Sequence, residues 1–303
     1  MAAMAETAQT FTAVDLSRLP APKVIEELSY EATFAAMLAA LLEVLPDFDA
    51  TVESDPAVKV LQVAALFVMM DRQRVNEAAR AVMPAYAIGT DLDHLAALLG
   101  IARLQLDPGN PELGIPPTME SDADFRRRMV LAPEGYSVAG PEGAYISHAL
   151  NAHPDALDAS ATSPTPGHVI ITVLSRDGDG AASPELLDAV EARVSDESVR
   201  PLTDYVTVQS AAIVNYAVAA ELRTFAGPDG SVVLDEALRR LDAYIEGSHR
   251  LGRDVTRSGI YAALHSEGVQ NVTLTSPAAD IVLDRTQASW CTAINVVHVG
   301  VGE

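Results

Sequence analysis

Few residues in this chain have types and spacings that could do chemistry, and each has a plainer reading. His148 and His153, with Asp155 and Asp158 nearby, are the nearest thing to a metal-ligand cluster. A separation of five residues around a helix end does not put two imidazoles on one face, as four would. Asp177-Gly178-Asp179-Gly180 starts like a calcium loop, but Ala181 stands at the third ligand position and no glutamate occupies the twelfth, so a turn accounts for it. Gly135-Tyr136-Ser137-Val138-Ala139-Gly140 has one residue too many between serine and second glycine for a nucleophile elbow. There is no phosphate-binding glycine loop followed by Lys-Ser or Lys-Thr. The single Cys291, beside Trp290, reads as a small core residue, because a lone thiol needs a placed base to become a nucleophile. Adjacent acids such as Glu26-Glu27 say nothing about acid–base work in so acidic a chain, and Asn271-Val272-Thr273 would matter only in a secreted eukaryotic protein. No catalytic, metal or cofactor-binding residue is therefore assigned.

The elements that would have to position a site read as α+β: an N-terminal helical segment followed by two small α/β domains with mixed sheets. Val24, Leu28, Ala35, Leu38, Leu42 and Leu45 follow three- and four-residue steps and predict an amphipathic helix from Val24 to Pro46. Asp55-Pro56 opens a second helix running to Met83, apolar on more than one face through Val60–Met70 and hence expected to be buried on several sides. A third spans Asp91 to Leu99, with Gly100 as its C-cap. These helices can close on one another or bundle with helices from another chain. Four prolines and two glycines in 104–120 exclude a helix or central strand and predict a linker or long loop. Ser121 or Asp122 then caps a short helix whose Arg126-Arg127-Arg128 run reads as solvated or locally salt-bridged.

Beyond Gly140 the pattern is α-β-β-α-β: a helix over 141–151 with Tyr145 inward, strands near 157–162 and 168–174, a helix capped by Ser183, and a strand over 204–209. A second unit follows almost without linker as β-α-α-β-β: a strand over 214–222, a Gly227-Pro228-Asp229-Gly230 turn, helices over 234–245 and 257–265, and strands over 269–275 and 291–299. Tyr145 to Pro164 resembles Tyr261 to Pro277, each reading as helix, strand, then proline turn, which hints at an internal duplication. The resulting division is 1–103, 104–140, 141–212 and 213–303.

Composition narrows the partners. With 20 Lys+Arg against 42 Asp+Glu the formal charge is −22, and the acidity is spread along the whole chain. Nucleic acid and anionic membrane are poor partners for such a surface. One cysteine excludes an internal disulfide, and the aromatic fraction of 5% leaves cores to Ala, Leu and Val. The first ten residues lack the basic and apolar regions of a secretory signal, and Val60–Met70, at eleven residues, falls short of the roughly 20 needed to span a bilayer.

Three groups of residues carry a more specific resemblance. The first is Arg74-Val75-Asn76-Glu77, continuing through Tyr86-Ala87-Ile88-Gly89-Thr90-Asp91-Leu92-Asp93-His94-Leu95 to Gly100-Ile101-Ala102-Arg103. The second is Glu120-Ser121-Asp122, Phe125-Arg126, Ser137-Val138-Ala139-Gly140 and Tyr145. The third is Arg200-Pro201-Leu202-Thr203-Asp204, then Leu251-Gly252-Arg253-Asp254-Val255 and Gly268-Val269. In order and spacing these resemble the baseplate J-like family of contractile phage tails and related injection machines, over roughly residues 20 to 300; Val138 and the proline-rich 104–120 segment depart from it. The resemblance implies a structural, non-enzymatic wedge component of the inner baseplate in the virion tail, assembled in the host bacterial cytoplasm. Its implied partners are a second copy of the chain, a second wedge protein (baseplate I-like), neighbouring wedges and sheath-initiator proteins, with no cofactor. N-terminal helices would form a bundle and the α/β domains a sixfold ring around the tail hub. Val24, Leu28, Leu38, Leu42, Leu61 and Phe67 become the candidate partner-interface residues. The competing class is a small-molecule-binding or enzymatic α/β protein, which would need a convergent polar pocket.

Overall fold

A computed structural model describes residue 16 and residues 22–48, 54–136, 138, 140–227 and 229–302. The first ten residues, Ser137, Ala139 and Pro228, on which some expectations fell, lie outside them. The chain divides into two compact units, one within Val14–Arg103 and one within Leu104–Glu303.

The first unit is helical. Helix α1 is Tyr30–Val44, α2 is Pro56–Ala81 and α3 is Gly89–Ala97. Ser29 caps α1, its Oγ accepting from the Ala32 N–H. This cap corrects the expected start: Val24 and Leu28 precede the helix, and the chain at Glu26 is instead held by Asn76 of α2, whose side-chain amide accepts from the Glu26 N–H and donates to the Glu26 carbonyl. Asp55 caps α2 with Pro56 at its first position, as expected. Helices α1 and α2 pack together. The apolar run of α2 is not buried on several sides, however: within it only Ala65 is fully enclosed, and Val60, Val63, Phe67 and Met70 are each more than half exposed.

The second unit opens with a hairpin where a loop was expected. Strand β1, Gln105–Asp107, pairs antiparallel with β2, Thr118–Met119, and a 3-10 turn over Pro111–Leu113 forms the tip. The four prolines, which cannot donate to a ladder, stand outside the two short strands. Gly109 has φ +67°, and a Cβ there would lie 2.5 Å from the Ile115 carbonyl oxygen, so the turn requires glycine. Helix α4, Asp122–Leu131, follows the Ser121 cap.

The two α/β halves then follow in the expected orders. In the first, α5 (Glu142–Leu150) and α6 (Pro184–Val194) cover one face of the sheet β3-β4-β5, formed by Ala156–Thr165, His168–Ser175 and Tyr205–Ser210. Ala159, Ala161, Val169, Ile171 and Val173 meet Ile146, Leu150, Leu186 and Val190 in this core; each larger side chain enclosed contributes about 1.5–3 kcal/mol. In the second, β6 (Ala212–Thr224) is the centre of the sheet β7-β6-β8, with β7 Val269–Ser276 and β8 Gln287–Val301, covered by α7 (Gly230–Ser248) and α8 (Arg257–Leu264). Helix α7 starts four residues earlier than its apolar spacing indicates, because Asp229 caps it through the Ser231 N–H and draws the turn-like Gly230 into its first turn.

Both sheets share one plan. The central strand, β4 or β6, has one antiparallel and one parallel neighbour, and the helix–strand pieces α5–β3 and α8–β7 supply the antiparallel edge in each. The proline part of the expected duplication fails. Pro164 lies inside β3 at a break in register between Thr162 and Thr165, whereas Pro277 follows β7. Only Ala211 separates β5 from β6, so the chain passes from one sheet to the other in a single residue.

Candidate assembly surfaces and the polar cluster behind them

The residues that sequence reasoning tested for chemistry are placed apart. His148 is buried in α5, while His153 lies beyond the helix with its Nδ1 3.6 Å from Asp155. Asp158 is buried on β3 and engaged by Arg127 at 2.7 Å. Among the described residues, no group of three His, Cys, Asp or Glu side chains could hold a metal ion. The Asp177–Gly180 segment is a turn closed on itself: the Ser175 N–H donates to the Gly180 carbonyl, and the Ala181 N–H to Asp179. Burial pushes the Cys291 thiol up, and its sulfur donates to the Ala293 carbonyl at 3.5 Å.

The arginine run of α4 belongs to an internal ion cluster. Arg128 grips Glu120 with two nitrogens, Nε at 2.9 Å and Nη2 at 2.7 Å, and gives Nη1 to Asn151. The side chains are 5% and 0% exposed, so this is a desolvated, forked pair. Asp124 receives Arg176 at 2.6 Å and Arg250 at 2.8 Å, one guanidinium from each α/β half. Burial works against the Asp124 carboxylate, but the Arg176 hydrogen bond and the charges of Arg250 and Arg176 outweigh it and hold the carboxyl below its ordinary value. Burial lowers the Arg250 guanidinium, with Asp124 and Asp158 opposing that effect. Asp158 also accepts the Leu251 N–H at 3.1 Å. Glu120, Asp124 and Asp158 are each engaged by a guanidinium, and Asp158 by a backbone amide as well, an arrangement that fixes elements in place.

Other family-resemblance residues do similar work. Arg103 ties the end of the first unit to Asp93 at 2.8 Å. Tyr145 donates to Asp204 at 2.8 Å, and burial pushes its phenol up so that it stays protonated. Asp254 accepts the Leu283 N–H at 2.8 Å, and Val255 bridges to Ile281.

Of the predicted interface residues, Phe67 (59% exposed) and Val24 (52%) stand at the surface. Leu38, Leu42 and Leu61 are half-buried on helices that pack on each other, and Leu28 is half-buried ahead of α1. The exposed apolar row is Val60, Val63, Phe67 and Met70, whose 3-4-3 spacing is that of a coiled-coil seam. Of this row the expected interface included Phe67 alone, although the spacing of Val60, Val63 and Met70 to it is visible in the sequence. A second exposed surface lies in the α/β part, where β8 is an edge strand with Ile294, Val297, Val299 and Val301 at least 40% exposed and no charged residue along its length.

Comparison with known proteins matches three successive segments of the chain. The baseplate J-like N-terminal domain matches residues 53–110, the central domain residues 137–210 and the C-terminal domain residues 216–297. The chain is 48% identical to "Baseplate protein J" of Escherichia phage P2 over 300 residues, covering 96% of this chain and 99% of that one. A fainter likeness, at TM-score 0.40 and 17% identity over 60% of this chain and 44% of the other, is to a chain of the sixfold-symmetrised anti-feeding prophage baseplate.

Proposed function

The chain belongs to the baseplate J-like family, and from that membership we propose that it is a structural wedge component of the inner baseplate of a contractile phage tail. The observation that carries this reading is the 48% identity to a phage baseplate protein along nearly the full length of both chains. In this reading the work is done by surfaces, with no reaction and no cofactor.

We assign residues 1–103 to a helical bundle with a second copy and a second wedge protein. The exposed 3-4-3 row on α2 supports this, since apolar side chains at that spacing lose water only when another helix covers them. Residues 104–140 connect, and 141–212 and 213–303 supply contacts between wedges around the hub. A closed ring needs two different surfaces on each copy. Assembly occurs in the host cytoplasm, and the finished protein resides in the virion tail.

Coexpression with the genes of the same tail module tests the assignment. The expected result is a complex of fixed stoichiometry containing this chain and a second wedge protein, with the chain also present in purified tails. A chain that stays alone in coexpression and is missing from intact tails overturns it.

A further inference from the structure

The passage between the two sheets is unusually abrupt. The Ala211 N–H still donates to Val173 of the first sheet, while the next amide, Ala212 N–H, donates to Thr286 beside the second. Around this crossing the buried apolar contact is small: Leu174, Ala211, Leu251 and Ala288, with Leu157 and Ile213 half-buried against them. Each half encloses its own, larger core.

Polar links make up much of the rest of the junction. Helix α4 packs with α5 and so belongs to the first half, and from there Asp124 reaches Arg250 of the second at 2.8 Å. Asp158 of β3 takes the Leu251 N–H, Ser160 donates to the Arg285 carbonyl at 2.6 Å, and Glu142 pairs with Arg285 at 3.1 Å. Two open clefts flank the same junction. One, of about 690 Å³, lies between Tyr145, Thr162 and the Asp284–Thr286 turn. The other, of about 550 Å³, lies between Asp124, Leu157 and the His249–Arg250 and Trp290 region.

We propose that the two α/β halves are joined by a pinned hinge, with Ala211 as pivot and the Asp124–Arg250, Asp158–Leu251 and Glu142–Arg285 contacts as pins that hold the arrangement seen here. A hinge concentrates its backbone change in one or a few residues at element ends, and a polar interface between halves favours motion where a large apolar one would forbid it. The clefts leave room for that motion. Asp124 is the decisive pin, because it stands between guanidiniums of the same sign. Removing its charge takes away the one carboxylate that both guanidiniums share and leaves Arg176 to Glu120, 3.7 Å away, and Arg250 to the charge of Asp158, so attraction across the junction weakens.

The proposal concerns the isolated chain and stands whether or not the baseplate assignment does. Its test is a distance measurement on the full chain with Cys291→Ala, carrying spin labels at Glu191→Cys on α6 and Asp235→Cys on α7, both exposed positions on helices of opposite halves. The pinned form gives one narrow distance. Adding Asp124→Asn is expected to shift that distance or add a second population, with far-ultraviolet circular dichroism unchanged. If Asp124→Asn does not fold, Arg285→Gln, which removes a partly exposed pin, decides the matter by the same readout. A single unchanged distance in a folded pin variant overturns the hinge, and so does a parent protein that already samples several distances.

Discussion

Asn76 and Glu26, fifty residues apart, share a reciprocal pair of hydrogen bonds: the Glu26 N–H donates to Asn76 Oδ1 at 3.0 Å, and Asn76 Nδ2 donates to the Glu26 carbonyl at 2.9 Å. The Asn76 side chain thereby imitates a strand partner for one residue of an otherwise irregular segment. Asn76 is buried, so its loss leaves two backbone groups without their partner.

Asn76→Ala should cost about 1–3 kcal/mol, the penalty of stranding buried polar groups. Hydrogen exchange on the full chain reads the effect locally. The Glu26 amide should lose protection while the amides of β4 and β6 keep theirs. Retained protection at Glu26 would show that the segment is held by something other than Asn76.

The Asp124 cluster makes a pH prediction with a definite sign. Its carboxyl is held below the ordinary value of 3.8, so its ion pairs stabilise the fold fully above that value and are lost as pH falls through the lower folded value. Urea midpoints of the full chain should therefore fall steeply below about pH 4. Asp124→Asn should cost about 3–5 kcal/mol at pH 7, where Arg176 and Arg250 lose their shared partner, and should flatten the acid limb. An acid limb of unchanged steepness in the variant would remove Asp124 from this role.

Exposure separates two substitutions on the proposed bundle surface that look equivalent in the sequence. Leu38 is half-buried within the chain, and Leu38→Asp should lower stability by about 2–5 kcal/mol whether or not a partner is present. Phe67 is 59% exposed, so Phe67→Asp should change the stability of the free chain by no more than about 0.5 kcal/mol. It should nevertheless abolish association with the second wedge protein, since it places a charge on the apolar seam. Co-purification of Phe67→Asp at parental yield would show that the seam is not the bundle contact.

The contrast shows where the sequence was legible and where it was not. Helix α2 was readable from Asp55-Pro56, and the central strands from their apolar runs, because caps and periodicity are local signals. Which face of α2 stays uncovered is not local. It depends on where α1 lies against it, and an all-round apolar helix looks the same whether its cover comes from its own chain or another. The hairpin at 104–120 was hidden because prolines forbid most of the segment while leaving two short stretches free to pair. The ion cluster was hidden more deeply. Arg127 and Arg128 are neighbours in sequence, yet their partners Asp158 and Glu120 lie on β3 and ahead of α4. Many of the residues that carry the family resemblance, Asn76, Arg103, Glu120, Tyr145, Asp204, Leu251 and Asp254 among them, are ones the fold uses to tie segments together.

Gly180 offers a sharper test of the junction between the halves. It closes the turn after β4 with φ +99°, and a Cβ there would fall 2.5 Å from Leu174 Cδ1 and 2.9 Å from the His249 ring. Leu174 is fully buried at the crossing, and His249 belongs to the second half, where its Nδ1 lies 2.6 Å from the Ser289 carbonyl and its ring stands edge-on to Trp290 at 5.3 Å. Neither neighbour can yield without disturbing a packed group. Gly180→Ala should therefore cost about 1–3 kcal/mol from overpacking, with added strain from the left-handed backbone. Gly178, two residues earlier, has φ +61° but nothing within 4 Å of its Cβ position, so Gly178→Ala carries the backbone strain alone. Thermal melts of the two variants should differ by the contact part of the cost, with Gly180→Ala the lower and Trp290 fluorescence altered only in it. Equal melting temperatures would mean that the turn, and not its contact with His249, is what the glycine serves.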